Sequence, residues 1–282
     1  MKTVLFTGAT GGLGTACVTM LASRGWMVFA IGTNKEKLKA LGNISNVIPI
    51  CADVTDSASM TAARDVVLQK TDRLDAIANF AGISAFSSLI EDDPITLSER
   101  MLEINVMGTV RTNALFFDLI ERGHGRIVNC SSSTGWMTAQ PFAGAYTMSK
   151  RAVEGYSDSL RRELMFLNIP VIKIQPGSFR TAMTDKTNGD YDQVLSQTTR
   201  YQRVLTTMKP LMDSTLVHSG NPNHLAKTVV RALEAEKPKQ KYRIGTGAAL
   251  AMLEILPEAW VDVLYKALIT LLSHTLVSKE RA

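Results

Sequence analysis

Lys2-Thr3-Val4-Leu5-Phe6-Thr7-Gly8-Ala9-Thr10-Gly11-Gly12-Leu13-Gly14 opens the chain, and its reading governs the rest. A compact β-rich run passes straight into glycines, after which Leu13, Cys17, Met20 and Leu21 recur at helical spacing. Gly8 permits a tight turn, Gly12 lets backbone approach a pyrophosphate, and Gly14 lets the helix pack closely on the strand. The helix start supplies unpaired N–H donors and the positive end of a dipole. Thr10, Gly11 and Leu13 complete this cradle. A plain turn with surplus glycine is the competing reading. The placement between a first strand and a first helix speaks against it and for a bound dinucleotide.

An acid near the end of the second strand would hold the adenosine ribose and favour NAD. That position reads Gly32-Thr33-Asn34, with no acid before Glu36 and with Lys35 and Lys37 beside it. Thr33 and Asn34 offer hydrogen bonds to a 2′-phosphate. The arrangement leans toward NADP, with NAD as the alternative, because no arginine stands there.

Further apolar runs follow at Trp26–Ile31, Val47–Cys51, Leu74–Ala78, Arg126–Cys130 and Val171–Ile174, separated by helical stretches. Short buried strands alternating with amphipathic helices predict an α/β fold. Its sheet is doubly wound and mostly parallel (Rossmann-type), with helices on both faces and a C-terminal helical extension. One domain is expected over residues 1–282, with 178–282 supplying a substrate loop and extension. Within that part the sequence predicts a polar loop from Thr184 to about Arg200, a helix near Asn223–Glu236 and a short strand at Lys241–Ile244.

The 282 residues are 45% hydrophobic and 20% charged, which is globular composition. The net charge of +5 is dispersed among nearly as many acids, so no nucleic-acid partner is expected. Cys17, Cys51 and Cys130 fall in apparent core elements and read as buried thiols of a reducing compartment. Neither they nor the four histidines show metal-ligand spacing, so no metal is expected. With Lys2 already in the first strand, no leader is expected. The longest uncharged apolar stretch near the end, about Ala267–Ser278, is too short to span a bilayer, and a cytoplasmic location is expected.

Tyr146-Thr147-Met148-Ser149-Lys150 introduces a helical pattern continued by Val153, Tyr156, Leu160, Leu164 and Leu167. Residues four apart share a helix face, so the phenol and the ammonium point the same way. A tyrosine, with its usual pKa near 10, is a poor base near neutrality. A cation within a few ångströms favours the phenolate, a tenfold gain in acidity corresponding to about 1.4 kcal/mol. Taken alone, a surface tyrosine and lysine at helical spacing would be unremarkable. Upstream, however, a buried strand ends in Asn129-Cys130-Ser131-Ser132-Ser133-Thr134-Gly135. Serines at the carboxyl edge of a parallel sheet stand where ligands bind, and one hydroxyl can donate to a substrate oxygen as charge develops on it. The other two read as capping groups.

Together these stretches resemble the short-chain dehydrogenase/reductase family across nearly all of residues 2–236. The likeness rests on Thr7–Gly14, Asp53-Val54, Asn79-Phe80-Ala81-Gly82, Asn105 in Ile104–Gly108, Tyr146/Lys150, and Pro176-Gly177 followed by Thr181. Phe80 departs from the family's second asparagine. The resemblance implies that Tyr146 is the acid/base and that Asn105 holds a water in a proton relay behind Lys150. It also implies cofactor contacts at Asp53, Val54, Asn79, Ala81, Gly82, Tyr146, Lys150, Pro176, Gly177 and Thr181. For the serine, the family's S-x-x-G pattern points to Ser132, whereas its usual distance from the tyrosine points to Ser133; Ser132 is preferred. Gly11 also fits the glycine spacing of longer epimerase-type relatives, but little sequence follows Gly177 and the other motifs fit the short branch.

The resemblance implies a carbonyl or secondary-alcohol substrate. Tyr156–Leu164 through Ile174–Gly177 resembles the branch acting on steroids, retinoids and related lipophilic alcohols. The segment from Thr181 to about His218, with Met183, Leu205, Met208, Leu211 and Met212, is expected to cover the cleft. The tail carries Leu250, Leu253, Trp260, Leu264, Leu268 and Leu271 at near-helical spacing. Packing over the substrate loop and subunit contact are weighted above peripheral membrane contact. The family likeness implies a homodimer or homotetramer through the Tyr146–Leu167 helix. A 3-oxoacyl thioester reductase and a non-catalytic dinucleotide-binding regulator are the rival functions; the second usually loses the tyrosine or lysine.

Overall fold

A computed structural model describes residues 1–217, 219–247 and 252–280. Seven strands form one parallel sheet: β1 (Thr3–Thr7), β2 (Met27–Gly32), β3 (Val47–Cys51), β4 (Ala76–Asn79), β5 (Arg126–Cys130), β6 (Val171–Pro176) and β7 (Lys241–Ile244). Their order is β3-β2-β1-β4-β5-β6-β7. The chain therefore winds outward from β1 in one direction and from β4 in the other. This reversal opens a crevice at the carboxyl ends of the central strands. Register brings Thr7 level with Asn79, and Asn79 level with Asn129, along that edge.

Every residue of β1 is buried, because both faces of the sheet are covered. Val4 and Phe6 pack with Cys17, Val18 and Leu21 of α1 (Gly12–Ser23) and with Leu225, Val229 and Leu233 of α9 (Pro222–Glu234). Leu5 turns the other way, toward Met60 and Val67 of α3 (Ser57–Leu68) and Phe116 and Leu119 of α5 (Gly108–Gly123). The remaining helices to this point are α2 (Lys35–Gly42), α4 (Pro94–Met101), α6 (Gly144–Leu164), α7 (Ala182–Gln197) and α8 (Gln202–Val217). After β7 comes α10 (Glu258–Glu280), which packs on α8. No described helix is long and apolar enough to cross a membrane.

Two expectations are corrected. The polar stretch from Thr184 to Arg200 is not a loop: residues to Gln197 form α7. Its composition is poor for a helix, and Tyr191 and Val194, both buried, hold it against Phe86 and Leu205. The cysteines also differ: Cys17 is buried and Cys130 partly buried, but Cys51 is exposed. It ends β3, the sheet's outer strand. His218 and Leu250 lie outside the described residues.

Candidate active site

The glycine turn is built by close backbone approaches. Gly8 has φ +68°, and a Cβ there would meet Phe80 and Ala81 backbone at 2.5 Å. Thr7 Oγ1 accepts from the N–H groups of Phe80 and Ala81 at 3.2 and 3.3 Å, tying the exit of β1 to that of β4. A Cβ on Gly14 would lie 2.1 Å from the Gly8 carbonyl oxygen, so only glycine lets α1 begin this close to the strand. No side chain caps α1, and its first turn holds no acid. Its N–H groups thus face the crevice free to bind an anion.

A cavity of about 500 Å³ runs along the sheet's carboxyl edge. Thr33, Asn34, Lys37, Asp53 and Val54 wall one end, and Thr10, Gly11, Gly12, Leu13 and Gly14 the middle. Ala81, Gly82, Tyr146, Lys150, Pro176 and Thr181 wall the other end. The cradle that a Cβ would fill, the uncapped helix start and a cavity of this length fit a dinucleotide. Asn34 Oδ1 accepts from Lys37 N at 2.9 Å, capping α2, and the residue stands on the cavity wall. Asp53 Oδ1 accepts from Thr55 N and Oγ1 at 2.9 and 2.8 Å, shaping the turn after β3.

At the Tyr146 end, the Lys150 side chain is buried, with Nζ 5.7 Å from the centre of the Tyr146 ring. Nζ donates to the Cys130 carbonyl at 2.9 Å, anchoring the cation. Asn105 sits in a six-residue π-helical turn, Leu102–Met107, of the kind found at functional sites. Its amide donates to Ile83 O at 3.0 Å and to Ser149 Oγ at 2.9 Å, while Oδ1 accepts from Ile83 N at 2.8 Å. Ser149 Oγ in turn donates to Tyr146 O at 2.8 Å. Both amide hydrogens are thus engaged by protein. These bonds pin the helix carrying Tyr146 to the exit of β4. Gly82 fits beneath, where a Cβ would come 3.1 Å from Asn105 Oδ1 and 3.6 Å from Lys150 Nζ.

Asn79, Asn105, Ser132 and Gly177 do not line the cavity. Asn79 Nδ2 turns inward, donating to Asn113 and Asn129 at 2.7 and 2.9 Å, so it ties β4 to α5 and β5. Gly177 is a packing glycine: a Cβ would lie 2.1 Å from Gly245 O. Ser132 is buried and caps the short turn Ser133–Gly135, its Oγ accepting from Thr134 N at 3.3 Å. Ser133 is half-buried, and Ser131 lines the cavity. Sequence reasoning missed Ser149, Phe80, Arg100, Ile104 and Cys130. Ser149 had a signal in its place one residue before Lys150; the other four line the cavity from the exits of β4 and β5 and from the helical stretch Pro94–Met107, a placement that spacing does not reveal.

The fold and site define an oxidoreductase of the nucleotide-binding α/β class. The sequence model for short chain dehydrogenases matches residues 2–192, and the chain belongs to the short-chain dehydrogenase/reductase family. A probable short-chain type dehydrogenase/reductase of Helicobacter pylori, VdlC, is 30% identical over 271 residues, covering 94% of this chain and 97% of that protein. Human retinol dehydrogenase 16 is 34% identical over 193 residues, 66% of this chain and 59% of that protein. The 3-ketodihydrosphingosine reductase of Bacteroides thetaiotaomicron is 28% identical, covering 86% and 87% of the two chains. Among solved structures, NAD+-bound xylitol dehydrogenase matches with a TM-score of 0.75 at 23% identity, over 87% of this chain and 98% of its own. An archaeal alcohol dehydrogenase from Thermococcus sibiricus, complexed with 5-hydroxy-NADP, matches at 0.71 and 19%, over 86% and 96%. That likeness is one of fold.

Proposed function

We propose that this chain interconverts a carbonyl and a secondary alcohol, with NADP as the preferred nicotinamide cofactor and NAD as the alternative. The observation that carries this reading is the pairing of Tyr146 with a buried Lys150 cation on the wall of the cavity that begins at the glycine turn. When bound, the nicotinamide supplies or accepts the hydride. Tyr146 donates its phenolic proton to the oxygen during reduction and accepts it during oxidation. Lys150 lowers the cost of the phenolate, and a serine hydroxyl at the exit of β5, assigned to Ser132 by its place in the motif although Ser131 is the serine that lines the cavity, donates a hydrogen bond to the substrate oxygen. Asn105, through Ser149, holds the tyrosine's helix in place.

Lys37 at the cavity wall, and the absence of an acid at the end of β2, support the NADP preference. Ile83 and Met183 on the wall, with relatives named for retinol and 3-ketodihydrosphingosine, support a lipophilic substrate. The test is oxidation of NADPH and NADH with a panel of carbonyl compounds, repeated on Tyr146→Phe. Turnover is expected to fall at least about 100-fold in the variant with NADPH affinity retained. Normal turnover by Tyr146→Phe overturns the reading; reduction of small polar ketones alone overturns its lipophilic part.

A further inference from the structure

Between the serine strand and the catalytic helix, the chain passes through Phe142, whose φ is +61°. A bulky residue rarely adopts this left-handed conformation, and it persists only where the surroundings over-determine it. Here they do. The Phe142 carbonyl accepts from Ser87 N at 2.8 Å. The Phe142 ring stacks on Phe86 at 5.3 Å and meets the Tyr201 ring edge-on at 5.1 Å. Phe86 also lies against Tyr191, centroid to centroid 4.6 Å. Tyr191 is buried in α7, and its hydroxyl donates to Leu205 O in α8 at 2.6 Å. Tyr201 lies between these two helices.

The ring is thus wedged against α7, whose first turn lines the cavity, and the start of α8 packed on it, while its backbone leads directly into α6. Ala143 caps that helix, its carbonyl accepting from Thr147 N at 2.8 Å, and Tyr146 lies in the same turn. A shift of α7 and α8 pushes an aromatic ring whose backbone sits in the small left-handed region, within which φ can turn little without steric clash. Displacement therefore passes to the first turn of α6.

We propose that Phe142 is a positioning residue that couples the α7–α8 cover to the helix turn bearing Tyr146. This rests on the proposed function only for what Tyr146 does; the coupling itself is read without a substrate.

The test is hydrogen exchange on the full chain, followed at the amides of Thr147 to Lys150. Tyr201→Ala, which alters only the cover side, is expected to speed their exchange about tenfold, with Tyr201→Phe restoring the native rate. Faster exchange confined to α7 and α8 overturns the proposal. If Tyr201→Ala fails to fold, Phe142→Ala and Phe142→Gly carry the test. Glycine keeps the left-handed backbone without the ring, so coupling through the ring predicts equally fast exchange in both. Native protection in Phe142→Gly overturns it. In an active enzyme, kcat for Tyr201→Ala is expected to fall about tenfold with KM for NADPH unchanged, since small misplacements near the reacting groups are costly. Absence of wild-type turnover would sink the dehydrogenase reading and leave the exchange result standing.

Discussion

Lys150 is a cation held almost out of water, a placement that is costly without partners. The Cys130 carbonyl fixes one of its hydrogens, so the ammonium is oriented before any ligand arrives. Lys37 differs: it is exposed, beside the end of β2, and no described residue forms an ion pair with it. Lys37→Ala is therefore expected to weaken NADPH about tenfold and NADH less than about twofold, in fluorescence titrations at fixed ionic strength. An equal loss for both nucleotides would remove Lys37 from cofactor choice. Tyr146, Lys150 and the glycines were legible at this scale because each motif's spacing sets its local geometry and the alternating strand–helix order brings both to the carboxyl edge of one parallel sheet. Asn79 and Asn105 were legible as motif members, whereas the direction of their amides was not. A motif records residue type and order, whereas the direction of an amide is set by neighbours such as Asn113 and Ser149, distant in sequence.

Among the elements, the strands were read within one or two residues because strands buried on both faces are continuous apolar runs. Helix α7 was missed for the opposite reason: its threonines, aspartates and glycine favour turns, and packing about Tyr191 overrides them. This dependence has a pH signature. Burial pushes the Tyr191 phenol from the ordinary 10 up to about 12. The folded state thus holds the proton more tightly than the unfolded chain. Its contribution to stability is complete below about pH 10 and is lost as pH rises toward 12. Tyr191→Phe is expected to flatten the fall in urea midpoint between about pH 10 and pH 12. An unchanged slope would mean that another group governs alkaline unfolding.

Across the whole molecule, the family match ends at residue 192, yet the active-site loop is fastened from beyond it. Glu254 accepts from Thr138 N and, at 3.1 Å, from Thr138 Oγ1; the Tyr265 hydroxyl donates to Gln140 Oε1. No local pattern announces such contacts, which join positions more than a hundred residues apart. A chain ended after Gly247 is expected to bind NADPH with native affinity, melt several degrees lower, and lose at least about tenfold in turnover. Native turnover from that shortened chain would show the clasp to be dispensable.

The lone outward-facing thiol on the sheet's rim has a practical consequence. Burial raises the pKa of Cys130 to about 11 and pushes that of Cys17 up as well, so neither is a ready nucleophile at neutral pH. Cys51 stands in solvent, and the three residues after it, Ala52 to Val54, wall the end of the cavity away from Tyr146. An environment-sensitive dye attached at that sulfur would sit beside the nucleotide's entry, turning the unmutated protein into its own optical reporter of occupancy.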